Sequence, residues 1–512
     1  MTRLFPLLAG LLWTAGALAQ PGTPDPTFGD GGQLTLTPSA TQAARAVAVL
    51  PDGQTLLAGS VEGRAAVLRL TVAGALDPSF GNGGIARLDV GGSGGLATDL
   101  AVLSNGRIVL AAARLVDGAA DAGVLVGLTP SGQLDRAFGA DGLVEVVAGE
   151  SAVFGLDVDG EGRVLVAGLD GAGAQPSQAL VARYSPDGAA DPTYGTDGTA
   201  QFDVGRDGAF ATDVAALSDG RAVVVGTRDV GLLGTEPFAA RLTASGTLDP
   251  EFGSGGLALL DLAGSDGGLY GVAVDTQGRV VGAGAQGGTL VAIRLTATGT
   301  LDTAFGTGGV VSERFGRPRA QGTSVALQPD GKILVGGAAG TDATAELLVG
   351  RLLPDGTVDA AFGAGGAAVT PAPEGAIDVV TGLALDSFGR VVAAGYRDGP
   401  SSPSVAVRAV RLLNEGGVGL ENAPTPALEL AHTGPNPSHG PMRVSLSVTA
   451  PQVIRLAVYD AVGREVVVVH DGPVGAGTRT FEVAAALAPG VYTVRAEPRG
   501  AANVLLPLTV VR

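Results

Sequence analysis

Short apolar runs separated by glycine-rich turns occupy most of this chain and recur in a fixed order. One round passes from IARLDV (85–90) through TDLAVLSNG (98–106) to RIVLAAA (107–113) and, after a loop, GVLVGL (123–128). Middle runs such as VLVAG (164–168) and ILVGG (333–337) are almost continuously apolar, as a strand buried on both faces requires. Two-residue turns join the second and third runs at Asp52-Gly53, Asn105-Gly106, Asp219-Gly220 and Asp330-Gly331. Glu161-Gly162, Gln277-Gly278 and Phe388-Gly389 are looser versions. Asp-Gly and Asn-Gly supply the positive φ angles of a tight hairpin. No long stretch combines a helical apolar period with a cap and a stop, so the pattern predicts an all-β chain with few helices.

A nine-residue phrase opens each round. LDPSFGNGG (76–84) has near copies whose aromatic residues are Phe28, Phe80, Phe138, Tyr194, Phe252, Phe305 and Phe362, at spacings of 52, 58, 56, 58, 53 and 57. A period of about 50 belongs to propeller blades rather than helical repeats, and four strands per period is the inventory of one blade. The expectation is a seven-bladed β-propeller of four-stranded antiparallel blades over residues 24–413, ending with RAVRLL (408–413). The phrase is expected to link successive blades. Asp77 would cap the backbone, Phe80 would wedge between neighbours, and Gly81, Gly83 and Gly84 would take left-handed geometry. Chain direction places phrases and hairpins at one end of the blades. At the other end, loops 113–122, 169–178, 227–237 and 285–289 share no motif. Scaffold is therefore expected on the first face and recognition on the second.

The phrase, the Arg-Leu before it (69–70, 241–242, 294–295, 351–352) and the Asp-Gly-Arg/Lys hairpins resemble the delta-60 repeat family of bacterial β-propellers. The resemblance covers about residues 24–413 and implies the fold, since that family as a whole has no assigned chemistry. One round departs, with Gly127 where others carry arginine and Asp141 for the first closing glycine.

Beyond residue 413 the rounds stop. A proline-rich linker is expected over 414–434, followed by the alternating runs RVSLSV (443–448), IRLAVYD (454–460), REVVVVH (464–470), TRTFEVA (478–484), GVYTVRAE (490–497) and NVLLPLTVV (503–511). Short alternating strands in so small a span predict a small immunoglobulin-like β-sandwich. Pro435, Asn436 and Pro437, the stretch 459–465 with Gly463, Gly475 with Gly477, the stretch 487–492 with Gly490 and Tyr492, and Arg512 resemble the type A C-terminal sorting domain of type IX secretion. The resemblance covers about residues 433–512. It implies the type IX secretion machinery as partner and passage across the outer membrane of a Bacteroidota-like Gram-negative cell. It also implies removal of the domain, with release or attachment to surface lipopolysaccharide.

Composition narrows the chemistry. Acidic residues number 50 against 32 basic ones, a net charge of −18, which repels phosphate backbones and excludes nucleic acid as a partner. The absence of cysteine excludes disulfides and thiolate metal sites. Arg3, the apolar stretch 4–15 and Ala17-Leu18-Ala19 before Gln20 have the form of a signal peptide over residues 1–19, cleaved between Ala19 and Gln20. No apolar run is long enough for a transmembrane helix. The histidines are His432, His439 and His470, all beyond the repeats and expected in linker or surface positions, which excludes histidine-based triads and histidine-ligated zinc from the repeats.

Two apparent motifs dissolve in context. GAGAQG (282–287) is followed by a strand, not the helix that a dinucleotide site needs. DVDGEG (157–162) lacks the later bidentate glutamate of a calcium loop. No catalytic residue, cofactor or metal is assigned. The candidate ligand contacts are Arg314, Arg317 and Arg319, with Asp203 and Asp207, all expected on the irregular face beside Asp213, Asp266 and Glu374. The expected function is an exported, cell-surface or secreted module for recognition, adhesion or scaffolding, with a glycan or surface protein as ligand. The alternatives are a carbohydrate-active enzyme using a carboxylate pair, with Tyr270 or Tyr396 assisting, and a purely structural envelope protein.

Overall fold

The structure is a computed structural model that describes residues 20–36, 42–146, 151–171, 177–205, 208–231, 234–262, 266–399, 405–414, 428–432, 442–448, 452–460, 465–474, 477–483, 487, 490–498 and 504–510. Regular structure among these residues is β-strand, and the described residues contain no helix long and apolar enough to cross a membrane. The chain divides into two units, Met1–Gly417 and Val418–Arg512.

The first unit is a series of four-stranded antiparallel meanders. Its pattern is set by β1 (Gln33–Leu36), β2 (Gln42–Val49), β3 (Thr55–Val61), β4 (Arg64–Leu70) and β5 (Ile85–Arg87). Strands β2 to β5 pair in chain order, and four further sheets repeat the arrangement up to Glu313. The next sheet has eight strands, but its two halves meet only through the parallel pair Ala345–Ile377. Its last three strands, Ile377–Leu385, Val391–Asp398 and Ala406–Leu412, are completed by β1, so the N-terminal strand supplies the edge of the C-terminal sheet.

Burial follows from stacking. Every residue of β3 is buried, because a neighbouring sheet covers each of its faces. Leu56 and Val67 share an apolar cluster with Leu100 and Leu110 of the following sheet. Leu57 and Leu68 share another with Ala394, Val407 and Ala409 of the last sheet. The first sheet is thus packed against both the second and the last.

The repeated phrase does not link one sheet to the next. It joins β4 to β5 within one sheet, pairing Leu68 with Ile85 and Ala66 with Arg87. The backbone bonds Asp77 N to Arg69 O and Arg69 N to Gly84 O, both 2.9 Å, fold the phrase back on its own strand. The true link is the stretch 88–93, on the irregular face. Each sheet therefore begins one run later than the sequence order implied.

Each first strand carries a β-bulge. It falls at Arg45, Thr98, Phe154, Thr212, Tyr270, Thr323 and Thr381, where the register with the second strand slips by one residue.

In the second unit, Leu428–His432, Met442–Val448 and Gly477–Val483 form one antiparallel sheet, and Glu465–Val474, Gln452–Asp460, Gly490–Pro498 and Val504–Val510 form another. Leu430, Leu446, Ile454, Leu456 and Val494 are buried in a shared cluster. Strand Leu428–His432 falls within the stretch 414–434 expected as linker. His470 is half-buried: its ring lies 5.0 Å from that of Phe481, and its Nε2 is buried without a hydrogen-bond partner among the described residues. Residues 1–19, Pro435, Asn436, Pro437, His439 and Gly463 lie outside the described residues. Gly490 opens its strand, and Tyr492 packs against the shared cluster.

Candidate functional site

Each phrase closes around an arginine. Asp77 Oδ1 accepts from the backbone N–H and hydroxyl of Ser79 at 2.9 and 2.7 Å, and its Oδ2 accepts from Arg69 Nε at 2.9 Å. The guanidinium lies 4.7 Å from the centre of the buried Phe80 ring. The same trio recurs as Arg183–Asp191–Tyr194, Arg241–Asp249–Phe252, Arg294–Asp302–Phe305, Arg351–Asp359–Phe362 and Arg411–Asp25–Phe28, the last drawn from both ends of the unit. Where Gly127 removes the arginine, Arg107 of the preceding hairpin bonds Asp135 at 2.7 Å instead. That bond, against burial, holds the Asp135 carboxyl below its ordinary range.

The phrases also bind sheet to sheet. Gly81 N donates to Ser131 O of the next sheet, as Gly139 does to Asp187, Gly195 to Ser245, Gly253 to Thr298, Gly306 to Asp355, Gly363 to Pro21 and Gly29 to Ala73, all at 2.7–2.9 Å. Gly81, Gly83 and Gly84 have φ of 54°, 63° and 93°. A Cβ on Gly81 would stand 2.4 Å from Ile85 O, so only glycine fits there. The polar groups of the phrase are spent on the protein itself.

The expected ligand contacts do not converge. Arg314 Nε donates to Thr289 Oγ1 at 2.9 Å, Arg317 pairs with Glu346 at 3.0 Å, and Arg319 pairs with Asp342. Asp203 accepts from Gly205 N at 2.8 Å within its own turn, and Asp207 lies outside the described residues. Asp266 and Glu374 are exposed on the irregular face. Asp213 is not on that face: it lies in the first strand of its sheet, lining an axial cavity.

That cavity has a volume of about 740 Å³ and is bounded by the bulged strands. The bulge residues form one tier around it. Four are threonines, and each donates from Oγ1 to a carbonyl of its own second strand: Thr98 to Ala111, Thr212 to Val225, Thr323 to Gly336 and Thr381 to Ala394, at 3.1–3.3 Å. Thr212, Thr323 and Thr381 also reach the next first strand, at Leu269, Val380 and Ala44. The other three members are Arg45, Phe154 and Tyr270.

Above this tier stand three carboxyls. Asp99 accepts from Leu156 N at 2.6 Å, Asp157 from Ala216 N at 2.8 Å and Asp213 from Val272 N at 2.8 Å, each on the following sheet. The second oxygen of each accepts from the next residue's N–H in its own strand. Burial raises all three, against those N–H bonds. Asp99 is pushed up to about 7 and Asp213 well above its ordinary value, with the charges of the other carboxyls adding to the rise. The cavity admits water yet is walled by protein, so charge within it is poorly solvated. Among the described residues no three acidic or histidine side chains are placed to hold a metal ion.

Sequence reasoning missed Arg45, Asp99, Phe154 and Asp157. Laying the first strands over one another, with QAARAVAV above GGLATDLAV and SAVFGLDV, would have put Arg45, Thr98 and Phe154 in one column.

A family model described as "Domain of unknown function (DUF5122) beta-propeller" matches residues 50–80, 162–194, 217–252 and 328–362. Each match spans a hairpin and most of a phrase, and together they support a β-propeller repeat. Solved structures of similar fold include the polysaccharide lyase Uly1, at 9% identity over 73% of this chain and 91% of that one, TM-score 0.41. Apo prolyl oligopeptidase B from Galerina marginata shares 12% identity over 79% of this chain and 56% of its own, TM-score 0.38. The PQQ-bound aldose sugar dehydrogenase from Streptomyces coelicolor shares 15% over 62% and 93%, TM-score 0.33. No curated protein of similar sequence matches.

Proposed function

We infer that the first unit is a closed seven-bladed propeller acting as an exported recognition or scaffold module, followed by an immunoglobulin-like sorting domain for type IX secretion. The observation that carries this reading is the contrast between two sets of equivalent positions. The phrase clusters repeat the same bonds around the ring, returning through Gly363 to Pro21 and through Gly29 to Ala73. The irregular loops do not repeat, and the bulge tier departs from its threonine pattern at Arg45, Phe154 and Tyr270. Rigid repetition on one face with individual side chains elsewhere suits a platform that presents a binding surface. The N-terminal and C-terminal sequence motifs support export, with the type IX machinery as partner and the cell surface or medium as destination.

The test uses the full-length protein on glycan and surface-protein arrays, beside adhesion of a deletion strain. Saturable binding or an adhesion defect supports the reading. Binding to nothing, together with normal adhesion, overturns it. N-terminal sequencing of secreted protein should begin at Gln20, and the mature mass should lack residues 435–512.

Raised carboxyls in a cavity also favour a second reading, acid–base chemistry on a polysaccharide. Against it, both oxygens of Asp99, Asp157 and Asp213 are taken up by backbone N–H groups, one on the following sheet and one in their own strand. Polysaccharide turnover by purified protein, abolished by Asp99→Asn or Asp213→Asn in a folded variant, would establish it.

A further inference from the structure

The bulge tier contains an arginine with nothing to neutralise it. Arg45 lines the axial cavity. Its recorded contact is with the Tyr396 ring, 5.0 Å from the guanidinium, and its Nε is buried without a hydrogen-bond partner. Among the described residues it forms no ion pair, in a chain where acids outnumber bases 50 to 32. The charges that bear on Asp99 and Asp213 are those of other carboxyls rather than of Arg45.

The equivalent position shows what the fold asks for. At Thr98, Thr212, Thr323 and Thr381 a small hydroxyl satisfies strand carbonyls. Arg45, Phe154 and Tyr270 forgo that bond. Phe154 lies 6.0 Å from Phe210 at a tilt, and Tyr270 remains 41% exposed. The fold does not require these three residues, yet all three border the same cavity.

We propose that Arg45, Phe154 and Tyr270 form a site for the acidic end of a saccharide, the guanidinium holding a uronate carboxylate and the two rings contacting the sugar. A guanidinium presents a planar fork that matches a carboxylate and stacks on an aromatic face, as Arg45 stacks on Tyr396. Aromatic side chains offer large apolar faces at a partly wet rim. A volume of about 740 Å³ falls within the range of small-ligand sites, roughly 300–1,000 Å³. This assignment rests on the recognition reading above and narrows it to one ligand class.

The experiment is calorimetric titration of the full chain with trigalacturonate and, separately, with neutral maltotriose. Saturable binding of trigalacturonate is expected, with weaker or no binding of maltotriose. Arg45→Thr should weaken trigalacturonate about tenfold or more, the scale of a hydrogen bond to a charged group. Arg45→Lys, which keeps the charge but loses the fork, should fall between. Phe154→Thr and Tyr270→Thr should each weaken binding as well. All three threonine variants install the residue found at equivalent positions, so their thermal midpoints should stay at or above that of the parent. Absence of trigalacturonate binding, or binding that Arg45→Thr leaves unchanged, overturns the assignment. If the protein still captures other glycans or proteins on arrays, the recognition reading survives and only this ligand class falls. If it captures nothing and the deletion strain adheres normally, both fall.

Discussion

At the residue scale the phrase is a charge cluster disguised as a turn. Its Asp, Pro and Gly signal a turn from sequence alone, but the arginine that completes it stands eight residues earlier, as Arg69 does to Asp77 and Arg241 to Asp249. A spacing of eight along a strand and turn has no local signature. Only the fold-back of the phrase makes the pair, and it explains why Gly127 is tolerated: Arg107 comes from another strand end. The sheets differ in how redundant this is. Asp249 holds both Arg241 and Arg221, at 2.7 and 3.3 Å, while Asp135 relies on Arg107. Arg107→Met should therefore cost about 2–3 kcal/mol, leaving a half-buried carboxylate unpaired. Arg221→Met should cost under about 1 kcal/mol, its loss falling on a partly exposed pair. Urea midpoints of the two variants check the order.

At the scale of the element, the first strands carry both the bulge and the carboxylate braces. The two have opposite acid–base signatures from the phrase. Asp99, with its ordinary value of 3.8 raised to about 7, binds more protons folded than unfolded. Its contribution to stability is thus complete at low pH and is lost as pH rises from about 4 through 7. Asp157 and Asp213 shift the same way. The phrase carboxyls Asp77, Asp135, Asp191, Asp249 and Asp302 are lowered, so their contribution is lost only as pH falls below the ordinary value. Stability should peak at mildly acidic pH, about 4–5, from these opposing slopes. Asp99→Ser, which installs the residue type of Ser324 at the equivalent place, should flatten the decline between pH 5 and 8 in thermal melts. An unchanged slope would assign the decline to other groups. The first strands were legible as apolar runs, but a bulge leaves no mark in a single strand, so their cavity-facing residues were misplaced.

For the whole molecule, closure depends on the N-terminal stretch. β1 pairs with Ala406–Leu412, Arg408 bonds Thr35, and Arg411 bonds Asp25 and Thr27 at 2.8 and 2.9 Å. Asp378, fully buried, holds Arg397 through two bonds of 2.7 Å and Arg408 at 3.2 Å. Removing residues 20–36 would expose Asp25's arginine partners and the edge of the last sheet. Such a chain should melt at lower temperature and be cleaved by trypsin near Arg408 and Arg411, sites protected in the parent. Equal protection in both would show that the ring holds without its clasp. The sequence counted 408–413 as the last fourth strand, whereas Ala406–Leu412 is the third strand of its sheet and the fourth, β1, comes from the opposite end of the unit.

Local chemistry alone determined that this chain is a β-strand repeat with Asp-Gly hairpins and a recurrent turn, because apolar periodicity and left-handed glycine positions are properties of neighbouring residues. The tertiary structure decided where each sheet begins, which arginine meets which aspartate, and which side chains face the axis. Those depend on hydrogen bonds that fold each phrase back on its own strand, on packing between successive sheets, and in the closing sheet on pairing between the two ends of the unit.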